Sequence, residues 1–531
     1  MEKADLEELC RNFFDSDLHL SLLEAVEKDL TSGASSSYLA SSSGGFSAAK
    51  DALLDRLNTP ESRRSVINWL FAASAKLPKR QYQQQPLSQQ QQQSLTPVGE
   101  AAHFGRAQTN WEKRICKSLN TMCSDLGLPL ARRRTEKDFN ALVSKWNELS
   151  VIEKDVSSIR PVYASKDFLE VLVAVRCPNA LPEMTDTRWG LIHAPLRCKT
   201  IDQLRLDYHD LAISLSQTGV DDECLPDGDV EREKLTVKVL ESGSAPLAQE
   251  LAKRGVPLSY RGRLWSVIFD VSVTGHAEQY LQGLKQAVLD HDLLVDALIF
   301  KDVKLTAANN DMYFVFEDYL HMILLMFSRD PAIVGVYRRC CATAPKAYLN
   351  GRVGDESAAV AYPPSGVIPF HGFALLLCPL CFLYPDPKEL YLVFRELYTR
   401  HFYKLHVISS EPDSILGLCA LFESLLQTQE PELFHHLRSE GIQPLRIAFR
   451  WMMLAFSGLL LPEQVLLLWD RIVAYDSLTI LPLFAVGVFS FRKHNLLQTK
   501  SFSAAEAVLS DLTTLSVGPI LQLTLFARYN D

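Results

Sequence analysis

Few residues in this chain stand at the spacings that catalytic or metal chemistry requires. Cys378-Pro-Leu-Cys381 has the CxxC spacing of a redox pair or of half a zinc site. A structural zinc site needs a second such pair, or histidines at ligand distance. Cys340 and Cys341 are adjacent and make a poor second pair. The CxxC lies inside FALLLCPLCFLYP, where thiols pack as small hydrophobes, so core packing is expected and no metal. His401 and His406 miss the i,i+4 spacing of a helical metal pair, and His435 and His436 are neighbours; all four are expected on the surface or in packing. Arg132, Arg133 and Arg134 form a short basic run. Such a run is usually a solvated face; a patch for an acidic partner is the sharper alternative. No phosphate loop, HExxH, GxSxG or dinucleotide fingerprint occurs, and no cofactor is expected.

The totals narrow the class further. The chain has 531 residues, 47% hydrophobic and 22% charged, ordinary for globular proteins and enough for several cores. A net charge of −9 argues against a nucleic-acid grip. The start, MEKADLEELCRN, lacks the apolar stretch of a signal peptide. Eleven scattered cysteines are then expected as reduced thiols in a cytoplasmic protein. The longest uncharged apolar runs, Gly372–Pro385 and Leu478–Phe491, fall short of the roughly 20 residues a membrane span needs.

Periodicity divides the chain. Residues 1–30 are expected as one amphipathic helix, with Leu6, Leu9, Phe13, Leu20, Leu23 and Val26 near helical spacing. A Ser/Gly linker occupies 31–49 and a helical segment 50–80. A Gln-rich stretch over 81–110 offers little to bury and reads as disordered linker. A mixed, mostly helical region follows over 111–245, with FLEVLVAV (Phe168–Val175) as a possible strand. From 246 to 525 the pattern is a single all-helical domain, with helical periods at 277–300, 313–328, 331–347, 387–403, 412–427, 430–439, 444–458, 462–474, 478–491 and 503–515. The fold class is therefore mainly α. LPEQVLLLWDRI, Leu461–Ile472, places Pro462 in a first helical turn and is apolar nearly all round, as a central helix must be.

Two phrases in this last domain carry a resemblance: GVPLSYRGRLW (Gly255–Trp265), and the long stretch from Glu430 to Ile472 that contains PELFHHL, FRW and LLLWD. Together they resemble the TBC domain of GTPase-activating proteins for Rab GTPases, over roughly 250–520. Arg261 with Trp265, Arg450 with Trp451, and Trp469 with Asp470 are expected as core architecture. The resemblance implies a GTP-bound Rab-family partner and a role in vesicle trafficking. It implies no nucleic acid, no transmembrane segment, and membrane association only through a partner.

The resemblance also implies a mechanism, and this sequence departs from it. TBC domains of the usual kind present an arginine from I-x-x-D-x-x-R and a glutamine from Y-x-Q to the nucleotide. Such an arginine supplies about 10³–10⁵ in rate, roughly 4–7 kcal/mol of barrier. Here the first motif falls on Ile299, Asp302 and then Leu305 in the arginine's place. The second falls on PFHGF, with Pro369 for tyrosine and His371 for glutamine before Gly372. Leucine cannot neutralise phosphate charge, whereas histidine can still hold a water. Lys301 or Lys304 could turn toward the phosphates without arginine's planar fork, and Arg352 could reach in from a loop. The groove is thus expected to comprise Ile299, Lys301, Lys304, Leu305 and Gly372, with Asp302 and His371 as its polar members. Its expected activity is weak or absent Rab activation; the alternative is a non-catalytic TBC adaptor for a Rab or another trafficking protein.

Overall fold

Local chemistry opens most of the helices. Proline sits in the first turn of Pro387–Arg400, Pro431–Ser439, Pro444–Met453 and Pro462–Tyr475, where its missing N–H has no partner to lose. Ser414, Thr274 and Ser501 accept from the N–H groups of Gly417, Ala277 and Ala504, capping three more. The computed structural model describes residues 3–32, 44–76, 97–148, 157–175, 190–220 except 195, 226–337, 346–348, 359–361 and 363–527. These residues are overwhelmingly helical. Their strands form two short antiparallel pairs, Ala131–Arg133 with His291–Leu293 and Lys346–Tyr348 with Ala359–Ala361.

The apolar helix Pro462–Tyr475 is central, with every residue from Val465 to Ala474 buried. Its Asp470 lies at the middle of a polar knot inside the core. The carboxylate accepts from Arg261 Nε at 3.1 Å, Trp265 Nε1 at 3.0 Å and Val256 N at 3.2 Å. Arg261 Nη2 also donates to Val256 O at 3.0 Å. The two phrases of the sequence are therefore joined by a fully buried ion pair, and losing either partner of such a pair costs about 3–5 kcal/mol. Beside it, Arg471 is buried and donates to Leu467 O at 2.9 Å. Burial pushes its guanidinium down to about 10. Gly255, at φ +87°, makes room for that guanidinium, because a Cβ there would stand 2.9 Å from Arg471 Nη1. Trp469 donates to Ala455 O at 2.9 Å, and Trp451 is buried beside Phe456 and Phe489.

Several elements differ from the sequence reading. Residues 3–32 form two helices, Lys3–Phe14 and Asp17–Ser32. Between them Ser16 Oγ donates to Phe13 O at 2.6 Å and accepts from His19 N at 3.2 Å, closing one turn and opening the next. The 50–80 segment is likewise split at Thr59-Pro60 into Gly44–Asn58 and Pro60–Ala75. FLEVLVAV is not a strand but part of the helix Ser165–Val173. Asp167 caps it by accepting Ala164 N at 2.8 Å, and Phe168, Leu169 and Leu172 face inward at helical spacing. Packing against the Pro444–Met453 helix overrides the valines' strand preference. The Gln-rich linker was expected to run to 110, yet a helix spans Pro97–Leu126. Phe104 and Trp111 anchor it, and buried Gln108 accepts Ile408 N at 2.8 Å. The helical period 277–300 is interrupted by the strand His291–Leu293. Residues 33–43, 81–96 and Cys340–Cys341 lie outside the described residues.

One hydrophobic core crosses the expected boundary at 245. Phe104, Trp111, Phe168, Leu204 and Tyr208 belong to the same cluster as Trp265, Phe394 and Trp469. Polar ties reinforce the union. Arg132 and Arg134 pair with Asp292 at 2.9 and 3.1 Å, and Arg134 reaches Asp296 at 2.8 Å. The basic run thus meets its acidic partner within the chain. Glu423, buried, accepts from Leu191 N at 2.7 Å and Ile192 N at 3.0 Å. The CxxC thiols are buried, and Cys378 Sγ donates to Ala374 O at 3.2 Å. Burial pushes Cys381 up to about 12.

The Glu423 clamp carries a pH signature. Burial raises its carboxyl from 4.5 to about 7, against the pull of the two N–H donors. The folded chain then holds the proton more tightly than the unfolded chain. This contribution is full below the unfolded value and is lost as pH rises through about 7, by up to ~3 kcal/mol. Urea titrations between about pH 5 and pH 8 should show stability declining in the wild type and a flatter slope in Glu423→Gln; equal slopes would remove Glu423 from the titration.

Candidate functional site

The Leu294–Asn309 helix carries the first set of candidate residues, and its N-terminus is rigidly held. Asp296 accepts from Arg329 Nη1 at 2.5 Å, Arg329 Nη2 at 2.7 Å and Arg134 Nη2 at 2.8 Å. Burial alone would raise its carboxyl, but the two guanidiniums hold it below the usual carboxylate range. Ile299 is buried on the inner side of the same helix. Lys301, Lys304 and Leu305 are half-buried on its outer side. Lys304 lies near Glu317 and offsets part of the upward push that burial gives that carboxyl.

Asp302 points the other way, into the protein. Its Oδ1 accepts Gly372 N at 2.6 Å and its Oδ2 accepts Ala374 N at 2.7 Å. A single carboxylate therefore fixes the helix bearing Leu305 to the turn bearing His371. Burial pushes the Asp302 carboxyl up to about 6, while the two N–H donors pull it back toward the ionised form. Gly372 sits at φ +97°, a conformation that favours glycine, and a Cβ there would meet Leu454 at 3.3 Å. The turn leads into a 3₁₀ helix, Phe373–Leu376, whose residues are all buried.

His371 stands at the outer edge of this turn with its side chain 44% exposed. Its backbone N–H donates to Tyr163 O at 3.1 Å. Its Nδ1 is 3.9 Å from Asp302 Oδ1, beyond hydrogen-bond reach. Partial burial, and then the neighbouring Arg450 guanidinium, lower its pKa, so the ring is neutral at neutral pH. A neutral imidazole can both donate and accept, and so can orient a water. Beneath it, Phe370 stacks on Tyr163 at 5.6 Å and leans on His406 at 4.6 Å. His406 is buried, and burial pushes it down to about 3.

Sequence reasoning missed two features here. Tyr163, Phe168 and Trp111, from the N-terminal region, wall the site as an aromatic group; Trp111 stacks on Phe168 at 5.4 Å, and Phe168 meets Phe449 at 6.2 Å. Nothing in the spacing of these residues announced that contact, which arises from chain segments far apart in sequence. The second feature is Arg450, expected in the core with Trp451. It is exposed, because Arg446 and Arg450 are one helical turn apart on the single polar edge of Pro444–Met453. That edge was legible in the sequence as two arginines at i,i+4 among apolar residues. Arg261, Trp265, Trp451, Trp469 and Asp470 lie inside, away from solvent. Arg352 lies outside the described residues.

An all-helical domain whose buried aspartate ties a helix to a His-Gly turn, behind a core knotted by RGRLW and LWD, has the parts of a TBC domain. Residues 370–497 match the Rab-GTPase-TBC domain family, and the chain belongs to that family. TBC1 domain family member 19 of Homo sapiens is 50% identical over 433 residues, spanning 80% of this chain and 82% of that protein. TBC1 domain family member 5 homolog B of Dictyostelium discoideum is 28% identical over 103 residues, 19% of this chain and 10% of that protein. The domain carries a Rab GAP-like role and implies a Rab GTPase as partner. Among the described residues, no helix is long and apolar enough to cross a membrane.

The Asp302 tie has a measurable cost when cut. Asp302→Ala leaves the N–H groups of Gly372 and Ala374 without their acceptor, at about 1–3 kcal/mol each. Asp302→Asn keeps one acceptor oxygen and should fall between the wild type and alanine. Urea unfolding of the three proteins tests that order, and an alanine variant as stable as the wild type would refute it.

Proposed function

We propose that this protein binds the GTP-loaded face of a Rab-family GTPase across the groove between Leu294–Asn309 and the His371–Gly372 turn, and accelerates GTP hydrolysis weakly or not at all. One observation supports the reading: Asp302 bonds Gly372 N and Ala374 N, and so ties the helix bearing Leu305 to the turn bearing His371, the two positions that the resemblance assigns to the fingers. Slow hydrolysis reflects poorly placed water and unneutralised phosphoryl charge. Neutral His371 addresses the first need through a hydrogen bond. Leu305 does nothing for the second. Lys301 and Lys304 are the cations on that helix, and an ammonium lacks the bidentate fork of guanidinium.

A second reading, a non-catalytic adaptor that holds a Rab or another trafficking protein, is favoured by the apolar Leu305. Both readings place the protein in the cytoplasm and bring it to membranes through its GTPase. The N-terminal region, through Tyr163 and the Ser165–Val173 helix, would then shape the same groove.

Single-turnover GTP hydrolysis by a panel of Rabs separates the readings. The expected result is binding by the wild type with acceleration well below the roughly 10³-fold floor of an arginine finger. Leu305→Arg with His371→Gln should raise that acceleration without tightening ground-state binding. Acceleration of about 10³ or more by the unmodified chain would overturn the weak-catalysis reading. Failure of both proteins to bind any Rab would leave a helical scaffold that touches no GTPase.

A further inference from the structure

The groove lacks a guanidinium on the Leu294–Asn309 side, but one stands on the opposite side. Arg450 is exposed, and among the described residues its guanidinium makes no hydrogen bond or ion pair. Its neighbours in sequence fix it firmly: Phe449 and Trp451 are both buried, and Phe449 packs on Phe168. One turn further along, Leu454 lies against the Cα of Gly372, where an added Cβ would meet it at 3.3 Å. The helix edge bearing Arg450 therefore runs directly to the His-Gly turn. One turn earlier, Arg446 is already engaged by Glu170 and by Gln443. Of the two arginines on this edge, Arg450 is the one without a hydrogen bond or ion pair among the described residues.

We propose that Arg450 is the guanidinium of this groove: it binds an anionic oxygen of the docked, GTP-loaded GTPase from the His371 side and so tightens the ground-state complex. An exposed, unpaired guanidinium on a firmly packed helix, beside the His371 imidazole, is suited to a phosphate or carboxylate oxygen, which it can take bidentately. The proposal rests on the groove being the GTPase site.

The test uses the full chain and a Rab panel loaded with GDP or a non-hydrolysable GTP analogue. Arg450→Ala should weaken the GTP-analogue complex about tenfold or more, and Arg450→Lys should recover only part of the loss. Melting temperature should be unchanged, since the side chain is exposed. Arg446→Ala, which removes a charge already occupied, should stay within about twofold of wild-type affinity. If the contact is to the nucleotide phosphate, the loss is confined to the GTP-analogue form; if it is to a carboxylate on the GTPase, both nucleotide forms weaken together. Affinity unchanged in Arg450→Ala, or an equal loss in Arg446→Ala, overturns the proposal while leaving the groove's assignment intact. Wild-type protein that binds no Rab overturns both.

Discussion

A carboxylate with little exposure, holding two backbone N–H groups from a distant turn, sets the geometry between the Leu294–Asn309 helix and the His371–Gly372 turn. Among the described residues Asp302 pairs with no lysine or arginine; its hydrogen-bond partners are Gly372 N and Ala374 N. Hydrogen bonds to backbone fix position more tightly than an ion pair between flexible side chains, because neither donor can rotate away. The turn thereby inherits the rigidity of the Leu294–Asn309 helix, whose own start is gripped by Arg134 and Arg329. Whatever stands at positions 305 and 371 is presented at a fixed separation. The tie itself uses backbone N–H groups and involves neither the Leu305 nor the His371 side chain.

Behind that face the fold depends on a second buried carboxylate of a different kind. Asp470 accepts from Arg261, Trp265 and Val256, so that the start of the helical domain closes on its central helix. An ion pair so far from water stabilises less than its Coulomb energy suggests, but it enforces one pairing, since any slip would strand a charge. Gly255 at positive φ and Arg471 against it belong to the same constraint.

The N-terminal region is not an appendage. Its residues enter the same core, its Arg132 and Arg134 pin the head of the Leu294–Asn309 helix, and its Tyr163 carbonyl receives the His371 N–H. A change in this region would reach the Leu294–Asn309 helix through its head and the His371–Gly372 turn through its backbone. The helical half alone supplies neither of these contacts.

By itself, the sequence determined the helical class and the central role of Leu461–Ile472. These follow from periodicity and from proline and cap positions, all of which are local. It misjudged what depends on company. FLEVLVAV has strand-forming valines, yet a cap from Asp167 and a helical partner made it helix. Arg132 and Arg133 are exposed, as a solvated run should be, but the pairing of Arg132 and Arg134 with Asp292 and Asp296 was not legible because those carboxylates lie far along the chain. Arg450 read as core because its neighbour Trp451 is core, although a helix turns successive side chains by about 100° and sends them to different environments. Only tertiary packing decided which side of that helix met water, and so left Arg450 exposed beside buried Trp451.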